Sequence, residues 1–237
     1  MPVFLLVHGA QHGAWCWDKT LERLRALGHE AHAIDLPGHG DDDTPRAEIR
    51  LACYQRAVVD YAEEAGLRDL VLVGHSAGGV VLTLAVPPIA ARMRMAVFLA
   101  ALVPNPGECI FDLLPGELRS RYAREAANDP GFSVRSSFER AREIFFEELD
   151  GEEARAAYSR LTPEPFKPFG EAVPNGQFFD LAVPREYILC TRDLAVPRER
   201  ALESARRLGV APLSLDSGHD AMLSHPKELA ELLSRIA

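Results

Sequence analysis

The chain has 237 residues, 47% of them hydrophobic and 26% charged. That balance excludes disordered and fibrous classes and fits one globular domain with room for a small insertion. Asp and Glu number 35 against 26 Lys and Arg, a net charge of −9 that disfavours phosphate backbones and anionic lipid, so neither nucleic acid nor a membrane is expected as a partner.

In chain order, Val3–Val7 predicts a first strand, cut at His8-Gly9. Leu21, Leu24 and Leu27 fall at helical spacing, with Gly28 as the stop. A second strand is expected at Ala31–Ile34, before the turn-rich run Asp35-Leu-Pro-Gly-His-Gly-Asp. A helix over Leu51–Ala65, closed by Gly66, leads into Leu70-Val-Leu-Val-Gly74, the most strand-like run in the chain. Small residues from Ala77 to Ala85 predict a helix ended by Pro87-Pro88, and Met95–Leu99 predicts a fourth strand. Glu186–Cys190 and Leu213–Leu215 complete the strands, followed by helices at Arg198–Leu208 and Pro226–Ile236. Short strands alternating with helices imply right-handed crossovers and an open, mostly parallel α/β sheet of about six strands with helices on both faces.

Between Pro104 and Pro184 the alternation breaks. Helices are expected at Leu118–Ala127, Phe138–Leu149 and Glu152–Leu161 without a buried strand, in a stretch rich in proline and phenylalanine. That composition suits an inserted lid: residues 1–103 and 181–237 form the core, and 104–180 lie over its ligand edge. The cysteines, Cys16, Cys53, Cys109 and Cys190, form no CxxC pair and suggest neither a zinc ribbon nor a disulfide framework. The N-terminal apolar run is short for a signal peptide, and no stretch approaches the roughly 20 apolar residues of a membrane span, so a cytoplasmic protein is expected.

The sharpest motif is Gly74-His75-Ser76-Ala77-Gly78, placed between a buried-type strand and a small-residue helix. A nucleophile elbow needs that arrangement, in which a strained turn lifts the serine hydroxyl off the sheet edge. A serine needs a base, and the base an orienting acid. Of the two histidines after the lid, His219 lies in a loop after the last strand, whereas His225 precedes Pro226 at a helix start, so His219 is the expected base. Asp193, after the strand Glu186–Cys190, is the expected acid. Asp216 and Asp220 are too near His219 in sequence to reach its far ring nitrogen, and Asp180 lies at the wrong edge. The backbone amides of Ala77 and of Ala10, beside Gly9, are the candidate oxyanion donors. His8 and His12 have a four-residue spacing open to a metal reading, but the glycine-rich segment between them carries no carboxylate and favours structural hydrogen bonding.

The segments Val7–Trp17, Asp35–Gly40, Gly74–Gly79, Cys190–Pro197 and Gly218–Leu223 together resemble the α/β-hydrolase superfamily. The nearest likeness is to the branch of plant methyl esterases, hydroxynitrile lyases and related bacterial esterases. The resemblance spans nearly the whole chain except the lid and implies Ser76, Asp193 and His219 as a triad, with no metal or organic cofactor. The lyases of that branch typically carry threonine where Gly9 stands and lysine after the catalytic histidine, where this chain has Asp220, so ester hydrolysis is expected. Asp220 also departs from the apolar residue more frequent there. The expected substrate is a small, neutral, fairly hydrophobic ester, with no Arg or Lys evidently placed to grip a charge. Candidate pocket residues are Trp15, Trp17, Leu102, Val103, Phe111, Phe138, Phe145, Phe146 and Met222. A hydroxynitrile lyase, a lactonase, a hydrolase of another bond type and a non-catalytic ligand receptor are the competing readings. A monomer and a homodimer both remain open.

Overall fold

The computed structural model describes residues 1–237. Its strands are β1 (Val3–Val7), β2 (Glu30–Ile34), β3 (Leu70–His75), β4 (Met93–Leu99), β5 (Ser133–Val134), β6 (Glu164–Pro165), β7 (Arg185–Cys190) and β8 (Leu213–Leu215). Six of them form one sheet in the order β2-β1-β3-β4-β7-β8, and every neighbouring pair is parallel. The six strands expected from the apolar runs are these six.

Alternation along the strands builds two apolar layers. Leu5 and Val7 of β1, with Leu70 and Leu72 of β3, face α2 (Leu51–Glu64), α3 (Gly78–Ala85) and α9 (Arg198–Leu208). Phe4 and Leu6, with Val71 and Val73, face α1 (Asp18–Ala26) and, after the short α10 (Ala221–Ser224), α11 (Pro226–Ile236). A strand covered on both faces reads as a continuous apolar run rather than an alternating one, as β3 does. From β1 the chain goes to β2 on one side and returns to β3 on the other, so the loops after β1 and β3 part at the carboxyl edge. Such a switch point leaves a crevice for a ligand.

Between β4 and β7 lie α4 (Gly116–Ala127), α5 (Phe138–Ile144), α6 (Gly151–Arg160), α7 (Phe166–Gly170) and α8 (Gly176–Asp180). The helix expected over 138–149 ends at Ile144, and Phe146 and Leu149 turn inward to join Ala141, Ala154, Ala157 and Leu161 in a separate small core. The stretch also holds strand pairing that the sequence reading did not anticipate. β5 and β6 pair antiparallel, Val134 opposite Glu164, and two-residue strands are too short to leave a periodicity. No helix is long and apolar enough to cross a membrane.

Candidate active site

β3 delivers Ser76 at the carboxyl edge with φ of +52°, a left-handed conformation that a non-glycine residue adopts only when its surroundings hold it there. The hold is visible. Ser76 N–H donates to Leu99 O at 3.1 Å, and Ser76 O accepts from Gly79 N–H and Leu102 N–H, each at 3.0 Å. Gly78 is required by close approach, because a Cβ there would stand 2.6 Å from His8 O. Ser76 faces a cavity of about 100 Å³.

The loop after β8 carries His219. His219 Nδ1 lies 2.8 Å from Asp193 Oδ2, while Asp193 Oδ1 accepts the N–H groups of Ala195 and Val196, each at 2.8 Å. A carboxylate so placed holds the proton on Nδ1 and leaves Nε2 with its lone pair and no protein hydrogen bond. Burial alone lowers the His219 pKa, but the charge and hydrogen bond of Asp193, reinforced by Asp220 and Glu147, outweigh it and raise the pKa above 6.5. His75 Nε2–H donates to His219 O at 3.1 Å, and the two rings sit 4.5 Å apart. Burial first, then the neighbouring His219 and His12, lower the His75 pKa well below 6.5 and keep that ring neutral. Two carboxylates just after α5 grip the same loop: Gly218 N–H donates to Glu148 at 2.7 Å and His219 N–H to Glu147 at 3.2 Å. Ser76 Oγ is not hydrogen-bonded to His219 here, a contact that commonly tightens only with substrate bound.

Two backbone donors flank Ser76. The peptide joining Ser76 to Ala77 has its carbonyl engaged twice, so planarity turns the Ala77 N–H to the opposite side. The Gly9–Ala10 peptide is fixed in the same way, its carbonyl accepting from His8 Nδ1–H at 2.8 Å and His12 N–H at 3.4 Å. Ala10 and Ala77 both line the Ser76 cavity, and neither N–H is engaged within the protein. Gln11, at φ of +63°, completes the loop. Its N–H donates to Glu164 at 2.8 Å, and its side chain exchanges hydrogen bonds with Ser136.

His8 Nε2 accepts from Leu36 N–H at 3.0 Å, and His12 bonds Ala10 O and Asp220, so both rings are engaged in hydrogen bonds of the loop. Asp216 pairs with Arg192, and His225 with Ser224 and Glu148, away from the His219 ring.

Of the expected pocket residues, Leu102 and Phe145 line the Ser76 cavity. Trp17 and Met222 do not: both are fully buried in the core beneath α1 and α11. Val103 and Phe111 belong to the opposite core layer, where Phe111 packs on Phe166 and Phe169. Phe146 is buried in the small core around α5 and α6, and Phe138 packs edge-on against Tyr158. Trp15 lines a separate groove beside α6. Apolar side chains read alike whether they face a core or a cavity, which is why the sequence did not separate them. The sequence reading missed two charged groups of the cavity wall, Arg140 and Glu164. No motif marks either one. Glu164 is held by His39 at 2.9 Å, 125 positions away in the chain, so only tertiary contact reveals it.

Residues 4–232 match the alpha/beta hydrolase family model. Among curated proteins, salicylic acid-binding protein 2 of Nicotiana tabacum is 32% identical, over 99% of this chain and 96% of its own. Methylesterase 10 of Arabidopsis thaliana is 29% identical, over 99% of this chain and 91% of its own. Among solved structures, an extracellular alpha/beta-hydrolase from a Paenibacillus species superposes with a TM-score of 0.93 at 28% identity, covering 99% of this chain and 98% of that one. With the sheet order, the elbow at Ser76 and a family match over nearly its whole length, the chain belongs to the alpha/beta hydrolase family.

Proposed function

We propose that the protein is a carboxylic ester hydrolase acting through an acyl-enzyme on Ser76. The observation that carries this reading is the arrangement around one hydroxyl: a histidine oriented by a buried carboxylate, with two unengaged backbone N–H groups lining the same cavity. His219 Nε2 takes the Ser76 proton as Oγ attacks the ester carbonyl. Asp193 holds the tautomer and stabilises the imidazolium. The Ala10 and Ala77 N–H groups receive the oxyanion. The alcohol leaves with the proton from His219, and water then cleaves the acyl-enzyme by the same route reversed. None of these steps calls on a metal or cofactor. Residues 104–180 act as the lid, supplying Phe145, Arg140 and Glu164 to the cavity wall.

The cavity favours a neutral ester. Its buried carboxylate, Glu164, disfavours an anionic acyl group, and Arg140 stands at the mouth, paired to Glu143 at 2.7 Å and 42% exposed. The cavity shares Leu102, Leu114, Leu118 and Val196 with an open groove of about 700 Å³ that takes whatever part of the ester the inner space does not hold. The name of one relative, methylesterase, agrees with a small carboxylic ester. Ester hydrolysis is accordingly expected to be faster for uncharged methyl and aryl esters than for esters with a free carboxylate on the acyl side, measured as kcat/KM across such a panel. A clear preference for the charged esters contradicts this reading.

The cyanohydrin-lyase alternative is disfavoured at two positions. The residue after the base is Asp220, buried against His12, so no cation stands there to draw off departing cyanide. At Gly9 a Cβ would stand 2.7 Å from Ser76 Cβ and 3.0 Å from His75 Nδ1. Gly9→Ala is therefore expected to displace the nucleophile and lower kcat by about 100-fold with the fold retained, as seen by steady-state kinetics alongside circular dichroism.

A further inference from the structure

Asp220 directly follows the candidate base, yet its side chain turns inward and is 1% exposed. Its Oδ2 lies 2.9 Å from His12 Nε2, and His12 Nδ1 lies 2.8 Å from Ala10 O. A carbonyl can only accept, so Nδ1 carries a proton. The Nε2–Oδ2 contact then ties the His12 ring to Asp220 by a hydrogen bond at its other nitrogen. The His12 ring is wedged in place, stacked 5.6 Å from Trp15 and edge-on to Phe145 at 5.3 Å. Its backbone N–H returns to Gly9 O. His12 therefore grips the carbonyls of both peptide groups that meet at Ala10, and Asp220 grips His12. The second oxygen of Asp220, Oδ1, has no hydrogen-bond partner and lies 3.7 Å from His75 Nε2.

We infer that Asp220, acting through His12, is a positioning residue for the Ala10 oxyanion donor, tying the loop after β1 to the loop that carries the base. The inference rests on the hydrolase reading above. Loss of the carboxylate frees the His12 ring, which releases Ala10 O and lets the donor drift from the oxyanion. A drift of about 1 Å is enough to cost about 100-fold in rate. Asparagine at 220 still offers an amide N–H to the Nε2 of a neutral His12, so the grip survives without the charge.

The test compares wild type, Asp220→Asn, Asp220→Leu, His12→Phe and the double variant Asp220→Leu/His12→Phe. Two readouts are used: kcat and KM on p-nitrophenyl acetate, and the rate of modification by a fluorophosphonate. Asp220→Leu and His12→Phe are each expected to lose about 100-fold in kcat and in modification rate, with KM changed by less than about threefold. Asp220→Asn is expected to stay within about fivefold of wild type, and the double variant to lose no more than the worse single one. Equal losses in the Asn and Leu variants, additive losses in the double variant, or a defect confined to KM would overturn the positioning role. Should Asp220→Leu not fold, Asp220→Ala takes its place with the same expectations. A wild type inert to both ester and fluorophosphonate contradicts the hydrolase reading itself. A reactive wild type matched by an equally reactive Leu variant contradicts only the inference about Asp220.

Discussion

Ser76→Ala is expected to lower ester hydrolysis by about 10⁴- to 10⁶-fold while leaving the fold and substrate affinity nearly unchanged. The size of the loss follows from the chemistry. Alanine removes the only group at the elbow able to form the acyl-enzyme, and what remains is the two backbone donors and an imidazole with nothing to deprotonate but water. The fold is expected to survive, because the hydrogen bonds that hold the elbow are made by the Ser76 backbone rather than by its hydroxyl. Alanine also accepts the +52° φ about as readily as serine does. The measurement is kcat on a reactive aryl ester, with binding of a non-hydrolysable analogue as the control. A residual rate within about tenfold of wild type contradicts the acyl-enzyme.

Asp193→Asn is expected to cost about 10⁴-fold in kcat, because an amide in that place presents a donor to Nδ1 and selects the tautomer whose Nε2 carries the proton. It should also move the pH dependence in a definite direction. In the wild type, burial of His219 works to lower its pKa and is outweighed chiefly by Asp193, so the net shift is upward. Activity needs the neutral ring. The acid limb of kcat/KM is therefore expected above pH 6.5, with activity falling as pH drops through it. Removing the charge of Asp193 moves that limb downward on whatever activity remains. The stability contribution runs the other way: a raised folded-state pKa stabilises in full below the unfolded value and is lost as pH rises through the folded one. Thus the pH that activates the base also withdraws the stability contributed by its charged form. An acid limb that stays put in Asp193→Asn contradicts the assignment of Asp193 as the partner that raises the pKa.

The core was legible because its residues obey local rules. Short apolar runs bounded by turn residues and alternating with helical segments point to buried strands, and Gly74 to Gly78 between such a run and a helix points to an elbow. The order of Ser76, Asp193 and His219 along the chain then follows from the strands they succeed. The wall of the site was not legible, for physical reasons that differ by residue. Met222 and Trp17 lie close in sequence to His219 and Ala10, yet the helices they sit on rotate them into the core under β1 and β3. Glu164 reaches the loop after β1 from a two-residue strand, and Gln11 contacts Ser136 and Thr162, partners more than a hundred positions away with no spacing to mark them. Asp220 reads as a departure of unknown consequence, because sequence alone does not say whether the side chain next to His219 points outward or inward. Its burial against His12 decides the matter.

Ser76 is proposed as the one activated serine of the chain, and mass mapping after treatment with a fluorophosphonate tests that. One adduct per chain is expected, on the peptide bearing Ser76, formed faster as pH rises through the His219 titration and absent from His219→Ala on the same timescale. Modification of a different serine, or of Ser76 at an undiminished rate without His219, would contradict it.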